Sequence, residues 1–338
     1  MQKNQPFVLV TRTIPEIGRK ILSNYCKIEV LGHNPPSRKH LLDKIEKADA
    51  ILCLLTERID KDVFDIARKL KVVSTMSSGV DHIDVIESTK RGIYVTNTPD
   101  VLTDATADLT WALILTVSRR IVEADNFVRN GKWSIPWSPT LLLGSNVFGK
   151  ILGIIGMGRI GLAVAKRAKG FGMKIQYYSR NRLIKSYENE LGANYVSLDE
   201  LLSSSDYITI HAPLSKETHH LINKDRIRKM KHSAFLINTS RGSIVDENSL
   251  VQALEKHWIK GAALDVFEKE PIHKKNPLLK LNNIILTPHI GSATNQTRSI
   301  MAEIAATNLI ESLSGRIPKY LVNHKVLKQC SPEEIKMI

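Results

Sequence analysis

Arg241, Glu270 and His289 each stand within a few residues of an apolar run that is typical of a buried strand. The three runs are residues 234–238, 262–267 and 284–287. In an open α/β sheet, ligands bind outside the carboxyl ends of the strands. We therefore expect these three side chains to lie at one edge of a sheet, beside a ligand.

Together these residue types suit the reduction of a ketone. Hydride adds to the carbonyl carbon, and negative charge grows on the oxygen. The planar guanidinium of Arg241 would hold a substrate carboxylate and polarise the carbonyl. His289 would protonate the oxygen, and Glu270 would orient that histidine. Singly, each residue also has an ordinary interpretation as a surface bridge, a solvated turn residue or a loop histidine, so their joint placement is what favours catalysis.

A glycine-rich loop precedes these residues and follows the apolar run Ile151–Ile155. Its first glycine allows a tight turn, the second lets a pyrophosphate approach the backbone, and the third lets the following helix pack close to the strand. A helical stretch over 162–169 and a second strand over 174–178 supply the context that a dinucleotide site requires. The loop residues predicted to bind a dinucleotide are Gly156, Gly158, Arg159, Ile160 and Gly161.

The end of the second strand indicates which dinucleotide is bound. An enzyme that uses NAD places an acid there to bind the ribose hydroxyls. This chain instead has Ser179, Arg180 and Arg182. A serine and two arginines suit a 2′-phosphate, which an acid would repel. The sequence therefore favours NADP(H), with NAD(H) as the alternative if the two arginines are only solvated loop residues.

Short apolar runs alternate with helical stretches from residue 7 onward, which predicts βαβ units. A long helix over 103–130, closed by Gly131, separates two such blocks. The predicted fold class is α/β, with two doubly wound parallel-sheet domains. The strands predicted in the first block are 7–10, 28–31, 50–55, 72–75 and 94–96.

A last helix, over about 296–314, lies beyond the second block and would return to the first domain. That return would make the first domain discontinuous. The predicted bounds are 1–102 with 290–325 for the substrate domain, 103–289 for the dinucleotide-binding domain, and 326–338 for a polar tail.

The composition is that of an ordinary globular protein. Of the 338 residues, 43% are hydrophobic and 24% are charged. No apolar run reaches the roughly 18 residues needed to cross a bilayer, and the polar start Met1–Pro6 does not resemble a signal peptide. The three cysteines form no metal-binding spacing, so we expect no metal site and a reducing, cytoplasmic compartment. The net charge of +14 is spread along the chain, which favours anionic small ligands over nucleic acid.

The motifs together resemble one family, the D-isomer-specific 2-hydroxyacid dehydrogenases. The resemblance rests on residues 156–161, 238–242 with 245–247, 264–267 with 270–271, and 287–291. It covers nearly the whole chain. Within the family, the chain is similar to glyoxylate/hydroxypyruvate reductases, on the basis of residues 77–82, 98–104 and 289–294.

This resemblance implies a fold and a set of roles. The fold would be a Rossmann cofactor domain inserted in a flavodoxin-like substrate domain, with a cleft that closes on binding. Arg241 would bind the substrate carboxylate and carbonyl, His289 would donate the proton, and Glu270 would be its partner. Backbone N–H groups around Ser78 and Gly79 would also hold the carboxylate.

The resemblance also implies roles towards the cofactor and towards a second subunit. Asp265 would bond the nicotinamide amide, and the cofactor would be lined by Pro213, Thr239 and Gly291. A homodimer would form around the interdomain helix and the loop that follows it. Trp137 would either reach the partner's substrate site or pack in the interface. One departure from the family is Asp108, where many members have a glutamate.

The predicted activity is NADP(H)-dependent reduction of glyoxylate to glycolate and of hydroxypyruvate to D-glycerate. A broader 2-oxo acid reductase, acting on acids such as 2-ketogluconate, is the enzyme alternative. A binding protein that senses a dinucleotide and acts as a corepressor is the alternative from another class. No motif in the sequence separates the substrates.

Overall fold

The computed structural model describes residues 5–338, and it divides into two compact units. Unit 1 comprises the described residues up to Leu102 together with Ala293–Ile338, and unit 2 comprises Thr103–Ser292. The predicted first domain starts at residue 1, so its first four residues lie outside the described range.

The first part of unit 1 alternates five strands with four helices. In chain order these are β1 (Phe7–Val10), α1 (Glu16–Ser23), β2 (Lys27–Val30), α2 (Arg38–Ile45), β3 (Ala50–Cys53), α3 (Lys61–Ile66), β4 (Val72–Thr75), α4 (Val85–Lys90) and β5 (Tyr94–Thr96).

Unit 2 begins with two helices and then alternates seven strands with shorter helices. The elements are α5 (Thr103–Arg119), α6 (Ile121–Arg129), β6 (Ile151–Ile155), α7 (Arg159–Ala168), β7 (Lys174–Tyr178), α8 (Lys185–Leu191), β8 (Ala193–Tyr195), α9 (Leu198–Ser204), β9 (Tyr207–Ile210), α10 (Lys224–Ile227), β10 (Phe235–Asn238), α11 (Glu247–Glu255), β11 (Gly261–Leu264) and β12 (Ile284–Leu286). Three 3-10 turns lie at Lys169–Phe171, Gly242–Ile244 and Pro277–Lys280.

The chain then returns to unit 1 through α12 (Asn295–Leu313), a 3-10 turn at His324–Lys328 and α13 (Pro332–Ile335). The hydroxyl of Ser74 in β4 donates to the carbonyl of Ala305 in α12 over 2.8 Å. Gly18 in α1 lies so close to α12 that a Cβ there would be 2.8 Å from the carbonyl oxygen of Ala302. The last long helix therefore belongs to the core of unit 1.

Both sheets are parallel, and their strand orders differ. The five strands of unit 1 are ordered β2-β1-β3-β4-β5, which is the flavodoxin-like order. The seven strands of unit 2 are ordered β12-β11-β10-β9-β6-β7-β8, which contains the Rossmann order. The strand order of unit 2 reverses between β6 and β9, so the loop after β6 lies at the switch point where dinucleotides bind. The predicted fold class is confirmed.

The central strands of each sheet are buried on both faces, which explains why they are continuous apolar runs. In β1, Val8 and Val10 pack in one hydrophobic cluster and Leu9 packs in another. In unit 2, Ile155 and Ile154 divide in the same way between two clusters. The parallel pairing of these strands, for example of Ile155 with Tyr178 and with Ile210, determines which residues emerge at the carboxyl edge.

The predicted single helix over 103–130 is wrong, because the chain forms two helices that meet at Arg120. Arg120 has φ +55°, in the left-handed region, and this one residue ends α5 and begins α6. Its guanidinium forms two hydrogen bonds with Glu123 in the first turn of α6, of 2.8 and 2.6 Å.

The carboxyl-terminal residues also differ from the prediction. Residues 326–338 were expected to form a polar tail, but they belong to unit 1. Val326 and Ile335 are buried in the same cluster as Val8. Unit 1 resumes at Ala293, three residues beyond the predicted position.

None of the helices within residues 5–338 combines the length and the apolar character that crossing a membrane requires.

Candidate active site and dinucleotide site

The loops that follow β11 and β12 bring Glu270 and His289 into direct contact. The His289 Nδ1 and Glu270 Oε2 atoms are 2.7 Å apart. The other carboxylate oxygen of Glu270 accepts a hydrogen bond from the N–H of Phe267, over 3.0 Å. The two side chains retain 26% and 27% exposure, so a small molecule can reach the pair.

The electrostatics of Glu270 place Arg241 in the same group. Burial raises the pKa of Glu270, but the hydrogen bond and the charge of His289 outweigh that effect. The positive charge of Arg241 acts in the same direction, and the pKa of Glu270 lies below its ordinary value. The carboxylate is therefore ionised at neutral pH, as a partner of an imidazole must be. His289 thus contacts Glu270 directly, and Arg241 acts on the same carboxylate through its charge.

Hydrogen bonds and close packing hold the loop after β10, which carries Arg241, in one position. The Asn238 side chain is buried; its Nδ2 donates to the carbonyl of Arg241 over 2.9 Å, and its Oδ1 accepts from the N–H of Ser240 over 3.0 Å. A Cβ at Gly242 would overlap the carbonyl group of Phe267. The absence of a side chain at position 242 is what allows the loops after β10 and β11 to approach so closely.

Asp265 holds the turn that carries His289. Its fully buried carboxylate accepts hydrogen bonds from Thr287 Oγ1 (2.6 Å), Ile290 N (2.8 Å) and Gly291 N (2.8 Å). Burial raises the pKa of Asp265, while these hydrogen bonds and the charge of His289 oppose that rise. His289 itself has φ +54°, a conformation that residues other than glycine adopt seldom.

Sequence reasoning missed this supporting role of Asp265, and it missed Asn238 altogether. The resemblance assigned Asp265 only to the nicotinamide amide. A signal was present, because both residues are polar groups at or just after the end of a buried strand. Such groups must find hydrogen-bond partners, and the nearest backbone N–H groups are those of the following loop.

The glycine loop has the geometry that a dinucleotide requires. Gly156 has φ +95°, and its N–H donates to the carbonyl of Tyr178 over 2.8 Å. A Cβ at Gly161 would meet the carbonyl oxygen of Gly156, so the third glycine is required for the helix to pack against the loop. A Cβ at Gly158 would meet no atom within 4 Å. No side chain caps α7, so its first N–H groups are directed towards this open space, as phosphate binding requires.

The other residues predicted near the cofactor also lie in unit 2, in loops that follow its strands and in the first turn of α7. Thr239 is buried, and its hydroxyl lies 2.9 Å from that of Thr110. Pro213 is exposed in the loop after β9, and Gly291 is buried beside Asp265. Arg159 and Ile160 form the first turn of α7. These positions fit a dinucleotide lying across the carboxyl edge of the sheet.

His211 is a further polar group here that sequence reasoning did not identify. It follows β9, and its N–H donates to the carbonyl of Ile155, just before the glycine loop, over 2.7 Å. Neither of its ring nitrogens has a hydrogen-bond partner within residues 5–338, although both are buried. Burial lowers the pKa of His211 to about 3, so the ring is a neutral imidazole.

The loop after β7 places the predicted coenzyme-selecting residues in two different settings. Arg180 is exposed, and the carbonyl of the neighbouring Ser179 lies 3.4 Å from Tyr195 Oη. Arg182 instead forms two hydrogen bonds with Glu188, from Nε (2.7 Å) and from Nη2 (3.0 Å). Two N–H donors of Arg182 are thus bound to Glu188, a residue that was not singled out from the sequence.

Ser78 and Gly79 lie in the loop after β4 of unit 1. The carbonyl of Ser78 accepts from Asn97 Nδ2 and the carbonyl of Gly79 accepts from Ser77 Oγ, both over 2.7 Å. These two bonds fix the peptide planes of the loop. A rigid turn of this kind is suited to presenting N–H groups to an anion.

Two further predicted residues lie away from the strand ends. Trp137 is 77% exposed in the loop between α6 and β6. Asp108 on α5 accepts from Arg167 Nε over 2.8 Å, and Asp104 accepts from the same guanidinium over 3.0 Å. The shorter acid at position 108 therefore still pairs with a cation on α7.

The chain matches a family model as well as individual relatives. Residues 111–291 match the model "D-isomer specific 2-hydroxyacid dehydrogenase, NAD binding domain". The glyoxylate reductase of Thermofilum pendens is 53% identical over 336 residues, covering 99% of each chain. The glyoxylate reductase of Korarchaeum cryptofilum is 50% identical over 329 residues, covering 97% of this chain and 99% of the relative.

Solved structures show the same architecture. A protein of Thermus thermophilus is 45% identical, with a TM-score of 0.88 over 94% of this chain and 99% of that one. The NADPH-dependent glyoxylate/hydroxypyruvate reductase of Sinorhizobium meliloti, solved with NADP and malonate, is 30% identical. Its TM-score is 0.84 over 95% of this chain and 98% of that one. The chain therefore belongs to the D-isomer specific 2-hydroxyacid dehydrogenase family and is an oxidoreductase that uses a nicotinamide dinucleotide.

Proposed function

We propose that this enzyme reduces glyoxylate to glycolate and hydroxypyruvate to D-glycerate, with NADP(H) as its preferred coenzyme. The observation that carries the proposal is the contact of 2.7 Å between His289 and Glu270, with the charge of Arg241 acting on the same carboxylate. The relatives named glyoxylate reductase, at 50% and 53% identity over nearly the full chain, support the choice of substrate.

In this proposal Arg241 binds the substrate. Its guanidinium pairs with the carboxylate of the 2-oxo acid and directs a donor at the carbonyl oxygen. The N–H groups of Ser78 and Gly79 are also proposed to bind a substrate carboxylate. A substrate with an α-carboxylate would thus be selected over a simple ketone, which offers the guanidinium no anion to bind.

His289 is the proposed proton donor. Glu270 binds Nδ1, which leaves Nε2 to donate to the carbonyl oxygen as negative charge develops there. The bound coenzyme supplies the hydride for the carbonyl carbon. Asp265 keeps the 287–291 turn in place while the proton moves, because its three hydrogen bonds hold that turn.

The proposed coenzyme site runs from the glycine loop to the end of β7. The open space at Gly158 and the uncapped start of α7 accommodate the pyrophosphate. Ser179 and the exposed Arg180 are the proposed ligands of the 2′-phosphate. Arg182 contributes positive potential, but Glu188 already binds two of its donors.

A second copy of the chain is the proposed partner. Helix α6 has no buried residue in the monomer, and its Ile121, Val122 and Val128 are each about half exposed. The following loop adds the exposed Trp133 and Trp137. An exposed apolar surface of this extent is typical of an interface, and we propose a homodimer formed through it.

A steady-state panel tests the activity. Glyoxylate, hydroxypyruvate and 2-ketogluconate would each be reduced with NADPH and with NADH. We expect kcat/KM to be highest for the two smaller acids, and to favour NADPH by about tenfold or more, since a charge-assisted bond to phosphate contributes about 1.5–3 kcal/mol. A preference for 2-ketogluconate would instead identify the broader reductase, and binding of NADPH without turnover would identify a binding protein.

The proton donor is tested by His289→Ala. We expect kcat to fall by about 10²-fold or more, because the general acid is lost, while the dissociation constant for NADPH, measured by fluorescence titration, changes little. His33→Ala, which removes an exposed histidine of unit 1, is the matched control. Full activity of the His289 variant would exclude this residue as the acid.

The coenzyme assignment is tested by Arg180→Ala. Loss of a charged partner of the 2′-phosphate should raise the KM for NADPH by about tenfold and leave the KM for NADH nearly constant. Lys169→Ala is the control, because its ammonium group is bound to the carbonyl of Glu190 over 2.8 Å. Equal changes for the two coenzymes would contradict the assignment.

The dimer is tested by Val122→Lys combined with Val128→Lys. Charges at two exposed apolar positions of α6 should yield a monomer in sedimentation equilibrium, because each would be desolvated in the interface. Ile86→Lys, at a 72% exposed position on α4 of unit 1, should leave the dimer intact. A wild-type protein that sediments as a monomer would refute the proposal.

A further inference from the structure

A buried carboxylate lies under the loop that follows β7, outside the proposed catalytic set. Glu188 on α8 is only 2% exposed. Its two oxygens accept four hydrogen bonds: from Arg182 Nε (2.7 Å) and Nη2 (3.0 Å), from Tyr177 Oη (2.8 Å) and from Lys185 Nζ (3.0 Å). All of these partners lie within eleven residues of it, on β7, on the loop and on α8.

These hydrogen bonds hold the loop after β7 to the strand that precedes it and to the helix that follows it. Tyr177 belongs to β7, and its hydroxyl, while donating to Glu188, accepts from the N–H of Leu183 over 3.0 Å. The guanidinium of Arg182 also stands over the ring of Tyr195 on β8, at 5.3 Å from its centroid. The carboxylate of Glu188 and the phenol of Tyr177 therefore hold the segment 179–183 against the sheet.

The charge of this cluster also matters for an anionic ligand. Hydrogen bonds from Arg182 and Tyr177, together with Lys185, lower the pKa of Glu188 to about 2 in spite of its burial. The carboxylate is therefore ionised, but two cations surround it. Arg182, Lys185 and Glu188 together carry one positive charge, and Arg180 adds a second. These four side chains are therefore net positive although an acid lies beneath the loop.

We propose that Glu188 is a positioning residue for coenzyme selection. By binding Arg182 and Tyr177, it holds the 179–183 segment in the conformation in which Ser179 and Arg180 receive a 2′-phosphate. Arg182 is accordingly an anchor of the loop and not the main ligand of the phosphate. This inference rests on the NADP(H) preference proposed above.

The effect is specific to the 2′-phosphate, because the rest of the dinucleotide is bound by other elements. The proposed pyrophosphate site is the loop between β6 and α7, whereas the four hydrogen bonds to Glu188 come from β7, the 179–183 segment and α8. Loosening the 179–183 segment should therefore weaken ligands that carry a 2′-phosphate and spare those that lack it. A role confined to stability would weaken both classes or neither.

The experiment uses Glu188→Gln in the full chain and two fragments of the coenzyme. Dissociation constants for adenosine 2′,5′-bisphosphate and for adenosine 5′-monophosphate would be measured by calorimetry. Glutamine keeps the size of the side chain but loses the charge-assisted pair with Arg182. We expect the bisphosphate to bind about tenfold more weakly and the monophosphate to bind as in the wild type.

Matched variants separate positioning from folding. Glu190→Gln removes an exposed carboxylate from the same helix and should not change either constant. Tyr177→Phe removes only the hydroxyl and should weaken the bisphosphate in the same selective way. If Glu188→Gln does not fold, as judged by circular dichroism and urea unfolding, Tyr177→Phe tests the positioning role in its place.

Two results would overturn the inference, and they differ in what else they imply. If the wild type prefers the bisphosphate and the folded variants keep that preference, the positioning role is wrong and the NADP(H) assignment stands. If the wild type itself does not distinguish the two fragments, the NADP(H) assignment fails, and the inference fails with it.

Discussion

The buried carboxylate of Asp265 is the constraint on which the active-site edge depends. A buried charge must be hydrogen-bonded, and each group left unsatisfied costs about 1–3 kcal/mol. Asp265 meets this requirement with three donors from a five-residue turn, Thr287–Gly291. The same turn holds His289 in a left-handed conformation, which brings its Nδ1 to Glu270. Asp265 therefore sets the position of the proposed proton donor indirectly. Its carboxylate binds Thr287, Ile290 and Gly291, which lie on either side of His289 in the turn.

Close backbone packing complements that constraint at the neighbouring strand ends. Gly242 allows the loop after β10 to touch the backbone of Phe267, and Phe267 in turn donates its N–H to Glu270. The positions of Arg241 and Glu270 are thus coupled through main-chain atoms. Main-chain contacts of this kind hold functional groups more precisely than flexible side chains do, because no rotamer freedom remains to be lost.

Much of this arrangement was predictable from the sequence, and the exceptions have physical reasons. Strands such as Ile151–Ile155 were predicted to the residue, because two-sided burial leaves a continuous apolar run. The break at Arg120 was not, since a single left-handed residue that is not glycine leaves no pattern in the sequence. The burial of residues 326–338 was missed because this segment is largely polar, and a few apolar residues are enough to pack it against the core of unit 1. The placement of Arg241, Glu270 and His289 just past three strand ends could be predicted from the sequence, whereas their supports depend on tertiary hydrogen bonds.

The acid that binds the loop after β7 comes from a later element of the sequence. No acid stands at the end of β7, yet Glu188 reaches the adjoining loop from α8. What decides the interaction with a 2′-phosphate is the local charge, and not whether an acid is present. Because Glu188 already accepts four hydrogen bonds, from two cations and a phenol, it has little capacity left to accept from ribose hydroxyls. Its negative charge is compensated within the cluster by the two cations Arg182 and Lys185. In the role proposed above, the acid orders the segment that would receive the 2′-phosphate.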